Sequence, residues 1–260
     1  MRRRVPQLCA AWLVLCGAAM SDPALTQGVP SEPGPPFQTL VELEKMARLL
    51  AMMLDAGRSV ISDHQTLFDD PEKGDKGFTP DVFERQLLET FRSRAGTDLE
   101  ESRSARIPTG AKAVLKVLVA ASKLVVAEAQ SEINRQGVGH KGFVPAVFGA
   151  RTASRFAALT GIRLKQTALA PRNPSNAPDS FEQAVLREFA DPSYPREKVI
   201  SEITATSGAL RLMLPLYATR KCLDCHGEPK GEPDRTGHPR EGFQLGQSAG
   251  AISVFIPVRQ

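Results

Sequence analysis

The chain is poor in the residues that build crosslinked or metal-rich proteins, with four cysteines and four histidines in 260 residues. Cys9 and Cys16 fall in the first nineteen residues, so the rest of the chain holds only Cys222 and Cys225 and offers no disulfide framework if both are otherwise engaged. No N-terminal apolar run reaches the roughly 18 to 20 residues that span a bilayer. No basic run is longer than Arg2-Arg3-Arg4, which removes the usual reason to propose nucleic-acid binding.

What stands at the start is a basic stub, a short apolar stretch from Val5 to Leu15 and small residues ending at Ala18-Ala19. That layout predicts a secretory signal peptide over residues 1 to 19, cleaved after Ala19. Its removal takes three arginines and no acid, so the formal charge falls from +4 to +1, thirty basic residues against 29 acidic. Leu13-Val14-Leu15-Cys16-Gly17 also resembles a lipoprotein processing site, although a small residue is expected where Leu15 stands. Lipidation at Cys16 would convert a periplasmic or secreted protein into a membrane-anchored one. Residues 20 to 36, with Pro23, Pro30, Pro33, Pro35 and Pro36 among small and polar residues, read as a flexible linker.

The densest chemical signal is Cys222-Leu223-Asp224-Cys225-His226, the attachment pattern of a c-type haem. Two thiols at this spacing form thioethers with the porphyrin vinyl groups, and the adjacent histidine gives an imidazole nitrogen to the iron. Zinc binding and a redox dithiol are the rivals. A zinc site would need a fourth ligand such as His238 and an awkward tetrahedron around adjacent Cys225 and His226. A dithiol usually sits between a strand and a helix, whereas Gly227, Pro229, Gly231 and Pro233 follow here. Bacterial c-type haem is attached outside the cytoplasmic membrane, so the leader and the motif support one another.

Between the linker and the motif lies an internal repeat with an offset of 65 residues. Lys76-Gly77-Phe78-Thr79-Pro80-Asp81-Val82-Phe83 recurs as Lys141-Gly142-Phe143-Val144-Pro145-Ala146-Val147-Phe148, and Ala56/Ala121, Arg58/Lys123, Val60/Val125, Asp63/Glu128 and Gln65/Gln130 extend the match. This predicts two related helix-loop-helix units. In each, a long helix carries an apolar stripe, Leu43 to Ile61 or Val114 to Val126, and Pro80 or Pro145 opens a second helix that exits at Gly96 or Gly161. Phe83, Leu87, Phe91, Phe148 and Phe156 are its expected core.

After Ile162 the period becomes two. Residues 162 to 169 read as a strand and Arg172 to Pro178 as a turn; Asp179 with Glu182 forms a capping box for a helix from Ser180 to about Ala190. Residues 199 to 205 and 209 to 217 read as a hairpin turning at Ser207-Gly208, followed by a haem loop and a last strand from Ala249 to Val258. The fold class is therefore α+β, a duplicated helical part followed by an antiparallel sheet.

Four features together resemble a bacterial family of exported c-type haem domains with a PAS-like fold, catalogued as a domain of unknown function, number 3365. They are Leu164-Lys165-Gln166-Thr167 leading into Arg172-Asn173-Pro174, the following Glu182, Leu214-Pro215-Leu216-Tyr217 ahead of the cysteine motif, and Glu241-Gly242 with Gly250-Ala251-Ile252-Ser253-Val254. The resemblance covers residues 110 to 260, taking in the second repeat, and leaves residues 37 to 109 as a separate first helical unit. It implies a PAS-like antiparallel sheet carrying one covalent haem c, tethered by Cys222 and Cys225 with His226 as proximal iron ligand. Some relatives present a distal cysteine from the helix that begins here at Pro145, where this chain has Ala146, Val147 and Phe148.

The distal candidates are then His140 first, His64 and His238 after it, with Met213 as a softer alternative, or a vacant sixth position open to a diatomic gas. Arg172 is a candidate propionate partner through its bidentate fork, or a brace on backbone carbonyls of its own turn. The expected function is a redox or gas sensor module of the cell envelope reporting to a separate signalling or redox partner, with periplasmic electron transfer as the alternative. No His/Arg distal pair can be placed by sequence, so catalysis is not expected.

Overall fold

Helical spacing of apolar residues builds the first half of the molecule, which the computed structural model describes over residues 40–100, 107–204 and 208–258. The leader, the linker, Cys16 and Ser207 of the hairpin turn lie outside these residues. In α1 (Leu40–Asp63) the residues Leu43, Met46, Leu50, Met53, Leu54 and Ile61 are buried, as their spacing predicts. The short α2 (Gln65–Phe68) and α3 (Pro80–Ala95) complete the first unit; α4 (Thr109–Glu128), α5 (Gln130–Ile133) and α6 (Pro145–Thr160) repeat it. One-turn helices such as α2 and α5 are too short for periodicity to register, and the sequence does not reveal them.

Local chemistry sets the ends of α3 and α6. Thr79 Oγ1 accepts a hydrogen bond from Val82 N at 3.2 Å, and Pro80 needs no amide hydrogen in the first turn. Gly96 and Gly161 close the helices in the left-handed region, at φ of 62° and 72°.

The two units meet through a closed circuit of five phenylalanines. Phe68 contacts Phe78, Phe78 contacts Phe83, Phe83 contacts Phe148, Phe148 contacts Phe143, and Phe143 returns to Phe68, with centroids 4.9 to 6.4 Å apart. Burial of each ring contributes on the order of 2 to 3 kcal/mol, and tilted and edge-on contacts add to it. Gly57 lets α1 approach α6 this closely, since a Cβ there would lie 2.8 Å from the Phe148 ring. Beside the circuit the equivalent Lys76 and Lys141 are both 3% exposed. Lys141 Nζ donates to the carbonyls of Phe68 (2.5 Å), Val138 (2.8 Å) and Asp70 (3.2 Å), while Lys76 Nζ donates to Asp70 O at 2.6 Å and to Lys73 O. Two buried lysines thus stitch the two loops together by satisfying their carbonyls.

The second half is a four-stranded antiparallel sheet in the order β1-β4-β3-β2, made of β1 (Arg163–Thr167), β2 (Ile200–Thr204), β3 (Ala209–Tyr217) and β4 (Ser248–Pro257). Period-two alternation gives it two apolar faces. Leu210, Leu212, Leu214, Ile252 and Val254 join the core of α1, α3, α4 and α6, whereas Met213 and Ala251 pack with Val185, Leu186 and Phe189 of α7 (Ser180–Phe189). The capping box of α7 is present, with Glu182 N to Asp179 at 2.9 Å and Asp179 N to Glu182 at 3.0 Å. This is the α+β architecture that the sequence predicts. Both helical units and one sheet face share a single core.

One element departs from expectation. The segment read as a haem loop is a short helix, α8 (Arg220–His226). Seven residues with no apolar stripe leave no pattern to detect, and its start has no side-chain cap.

Candidate functional site

Helical geometry does the first work at this site. Cys222, Cys225 and His226 stand at positions i, i+3 and i+4 of α8, which puts all three on one face. Both cysteines are free thiols and partly buried, and Cys222 Sγ lies 3.2 Å from Thr219 Oγ1. Burial pushes the Cys225 thiol up from its ordinary pKa. Lys221 pairs with Asp63 at the end of α1, and Arg235 bridges Asp69 (3.1 Å) and Asp224 (3.8 Å). These pairs hold α8 against the first helical unit.

His226 is clasped rather than free. Its Nδ1 is 2.7 Å from Glu241 Oε2, its carbonyl accepts from Phe243 N at 2.8 Å, and its ring stacks on Phe243 with centroids 6.2 Å apart. With Nδ1 occupied, Nε2 is the nitrogen left for a ligand, the arrangement by which a carboxylate fixes the ring of a metal-binding histidine.

Behind Glu241 stands Arg172. Its Nε and one terminal nitrogen grip Glu241 at 2.6 and 2.9 Å, the other terminal nitrogen reaches Asp234 at 2.7 Å, and the Cys225 carbonyl accepts a further bond at 2.9 Å. Burial works against these charges, but pairing wins. Burial alone would lower the Arg172 pKa, and the carboxylates of Glu241 and Asp234 hold it above its ordinary value. Glu241, which burial would raise, is held below the usual carboxylate range by Arg172 and His226. Asp234 is held well below it by Thr236 and Arg172 against the same burial. The turn that carries Arg172 is itself pinned, since Thr167 Oγ1 donates to Asn176 O at 2.9 Å and Lys165 Nζ to Ala177 O at 2.6 Å.

This face of α8 opens on a cavity of about 410 Å³. His226, Cys222 and Phe243 line one side, and Gln166, Leu216 and Tyr217 of the sheet form another. Asp55, Arg58, Ser59 and Ser62 of α1, Arg94 of α3, and Pro145 with Ala146 of α6 line it as well. Its volume suits an organic ligand. Arg58 Nε, Gln166 Oε1 and Tyr217 OH are buried in this wall with no hydrogen-bond partner among the described residues. Buried polar atoms are normally satisfied, so three orphans beside one cavity leave this wall unsatisfied by the protein's own bonds, and the Cys222, Cys225 and His226 face next to it carries the donor set that a haem takes.

Several expected roles are placed elsewhere. His140 does not line the cavity; its Nδ1 lies 3.8 Å from Asp69 and is buried without a hydrogen bond. His64 Nδ1 lies 2.9 Å from Val60 O with its ring on Phe78, and His238 Nδ1 lies 2.9 Å from Thr236 Oγ1. Met213 is buried under α7. Arg172 is not on the cavity wall either, and all three of its nitrogens are engaged within the protein. The expectation of a propionate contact gives way to a positioning role: its fork binds two carboxylates and braces the carbonyl of the second cysteine.

Sequence reading missed the α1 wall. Asp55 Oδ1 and Oδ2 bind Arg58 (2.8 Å) and Arg94 (2.6 Å), and Arg94 also bonds Ser59 Oγ at 2.7 Å. The repeat held the signal. At the equivalent positions, Asp55, Ser59, Ser62 and Arg94 become Ala120, Leu124, Ala127 and Leu159, a polar face in one copy and an apolar one in the other.

The model of the Tll0287-like family matches residues 38–257. A solved structure, the cyanobacterial haem protein Tll0287, aligns at a TM-score of 0.41 with 19% identity, covering 59% of this chain and 98% of that one. No curated protein matches.

Proposed function

The chain belongs to the Tll0287-like family, and from that premise we propose that it is an exported protein that binds a single covalent haem c and acts as a ligand or redox sensor in the cell envelope. Cys222 and Cys225 would tether the porphyrin and His226 would give its Nε2 to the iron. The group supplies an iron centre that changes oxidation state and takes up ligands. The chain's own residues hold it: Glu241 fixes the His226 ring, and Arg172 holds Glu241 while bracing α8. The leader-like residues 1 to 19 support attachment outside the cytoplasmic membrane. Haem and a separate signalling or redox partner are the expected partners; lipidation at Cys16 would add the membrane.

One observation carries the sensor reading over electron transfer. Among the described residues that line the cavity, His226 is the histidine and Cys222 the cysteine, and no methionine joins them. The walls away from α8 therefore offer no second histidine, cysteine or methionine, and Tyr217 is the one described side chain there of a type that ligates haem iron. A bound haem would meet an exogenous ligand on that side unless the Tyr217 hydroxyl reached it. The test is spectroscopic. Protein from an export- and haem-maturation-competent host should give a covalent haem spectrum whose reduced form shifts on adding carbon monoxide. A low-spin reduced spectrum indifferent to carbon monoxide would sink the sensor reading in favour of electron transfer, and absence of covalent haem would sink both.

A further inference from the structure

The internal repeat supplies a control for the cavity wall. In the contact between copies, α4 packs on α3 and α1 packs on α6. Lys123 of α4 is neutralised there by Asp81 (2.7 Å) and Glu84 (2.6 Å) of α3. Arg58 occupies the equivalent place on α1, but the equivalents of Asp81 and Glu84 on α6 are Ala146 and Gly149. This contact has a cation at the equivalent place and no acid at either position opposite it.

What replaces them is space. Ala146 and Arg58 both line the cavity, and the room beside Gly149 is taken by Gln166, whose side chain lies 2.5 Å from where a Cβ would stand. Arg58 keeps one acid, Asp55, and shares it with Arg94. Two guanidinium groups thus face a single carboxylate, and Arg58 Nε is buried without a partner. Uncompensated positive charge on a cavity wall disfavours a neutral occupant and favours an anion that fits the guanidinium fork.

We propose that Arg58, with Arg94 beside it, is an anion seat: it binds one small monovalent anion of carboxylate type in the place that Asp81 and Glu84 fill in the other copy. The anion is either a propionate of the porphyrin itself or a free anion bound at the iron. The choice of source rests on the proposed haem function; the seat does not. Its position suits both. Asp55 to Ser62 run about 10 Å along α1, comparable to the breadth of a porphyrin, and the end of the helix next to Ser62 is fixed to α8 by Asp63 and Lys221. The Asp55 end is therefore the one away from α8, and Arg94, which pairs with Asp55 there, is 39% exposed.

The full-length haem-loaded protein tests this with Arg58→Gln, Arg58→Lys and the control Lys123→Gln. Azide is the anionic probe, imidazole the neutral one, and the midpoint potential is followed against pH. If the seat serves an iron-bound anion, Arg58→Gln weakens azide about tenfold or more while leaving imidazole unchanged, and Arg58→Lys restores part of the loss. If it serves a propionate, azide is unaffected, but the pH at which the potential begins to change moves upward in Arg58→Gln, because a carboxylate without its cation protonates more readily. Either result supports the seat and identifies the source. No change in either readout, equal weakening of azide and imidazole, or the same effects from Lys123→Gln would overturn it. Should the wild-type chain carry no haem, the proposed function fails while the seat is still measured: calorimetry of that chain with sodium propionate either shows binding lost in Arg58→Gln or overturns the proposal.

Discussion

The first and second helical units keep the same interior and present different faces to the rest of the molecule. Ala56/Ala121, Val60/Val125, Lys76/Lys141, Phe78/Phe143 and Phe83/Phe148 are buried in both. Asp55, Ser59, Ser62 and Arg94 of the first copy line the cavity, whereas Leu124 and Leu159 at two of the equivalent positions are exposed. Positions that pack are held alike because a core tolerates little change of volume. Positions that line the cavity in only one copy are free of that packing constraint, so the difference between copies marks the cavity more sharply than either copy alone.

The largest effect should come from breaking what the copies share. Lys141→Met keeps the volume but strands the carbonyls of Phe68 and Val138, and urea unfolding should show a loss of about 3 kcal/mol or more. Lys76→Met, which strands fewer carbonyls, should lose less; equal losses would show that the two lysines do not divide the work as their bonds suggest. Next comes a substitution that restores symmetry. Ala146→Asp places an acid opposite Arg58 as Asp81 stands opposite Lys123, and in the haem-loaded protein it should weaken azide about tenfold if the anion is bound at the iron.

Lys123→Gln removes pairs with Asp81 and Glu84 at the surface, so a thermal melt should fall by about 2 °C or less, with no spectral change. The smallest effect depends on pH. The Glu72 amide beside Asp70 holds its carboxyl below the ordinary range, so its contribution is present above the unfolded value of about 4 and is lost as pH falls below that. The second copy carries Arg135 at that position and lacks this titration. Amide exchange, corrected for intrinsic rate, should show the first-copy loop loosening in acid before the second.

Where adjacent residues decide the outcome, the sequence was legible. Pro80 and Pro145, Gly96 and Gly161, and Asp179 with Glu182 set helix ends through bonds within a few residues, and the structure has these ends where the pattern puts them. The strands followed from alternation of period two, to within about two residues at each end. Legibility ended at α8, too short to leave a period, and at Arg172, whose partners Asp234 and Glu241 lie 62 and 69 residues away. His140 illustrates the same limit: its place in a loop beside α6 was readable, but its absence from the cavity wall was not.

By itself the sequence determined the Cys-x-x-Cys-His motif, the duplication and the α+β order, because each is written in spacing along one chain. Only the tertiary structure decided what surrounds His226. The Glu241 and Arg172 network behind it, and the α1 wall with its half-neutralised arginines, come from segments far apart in the chain. Burial and charge act through space, and no local pattern in the chain encodes which distant side chains a cavity will bring together.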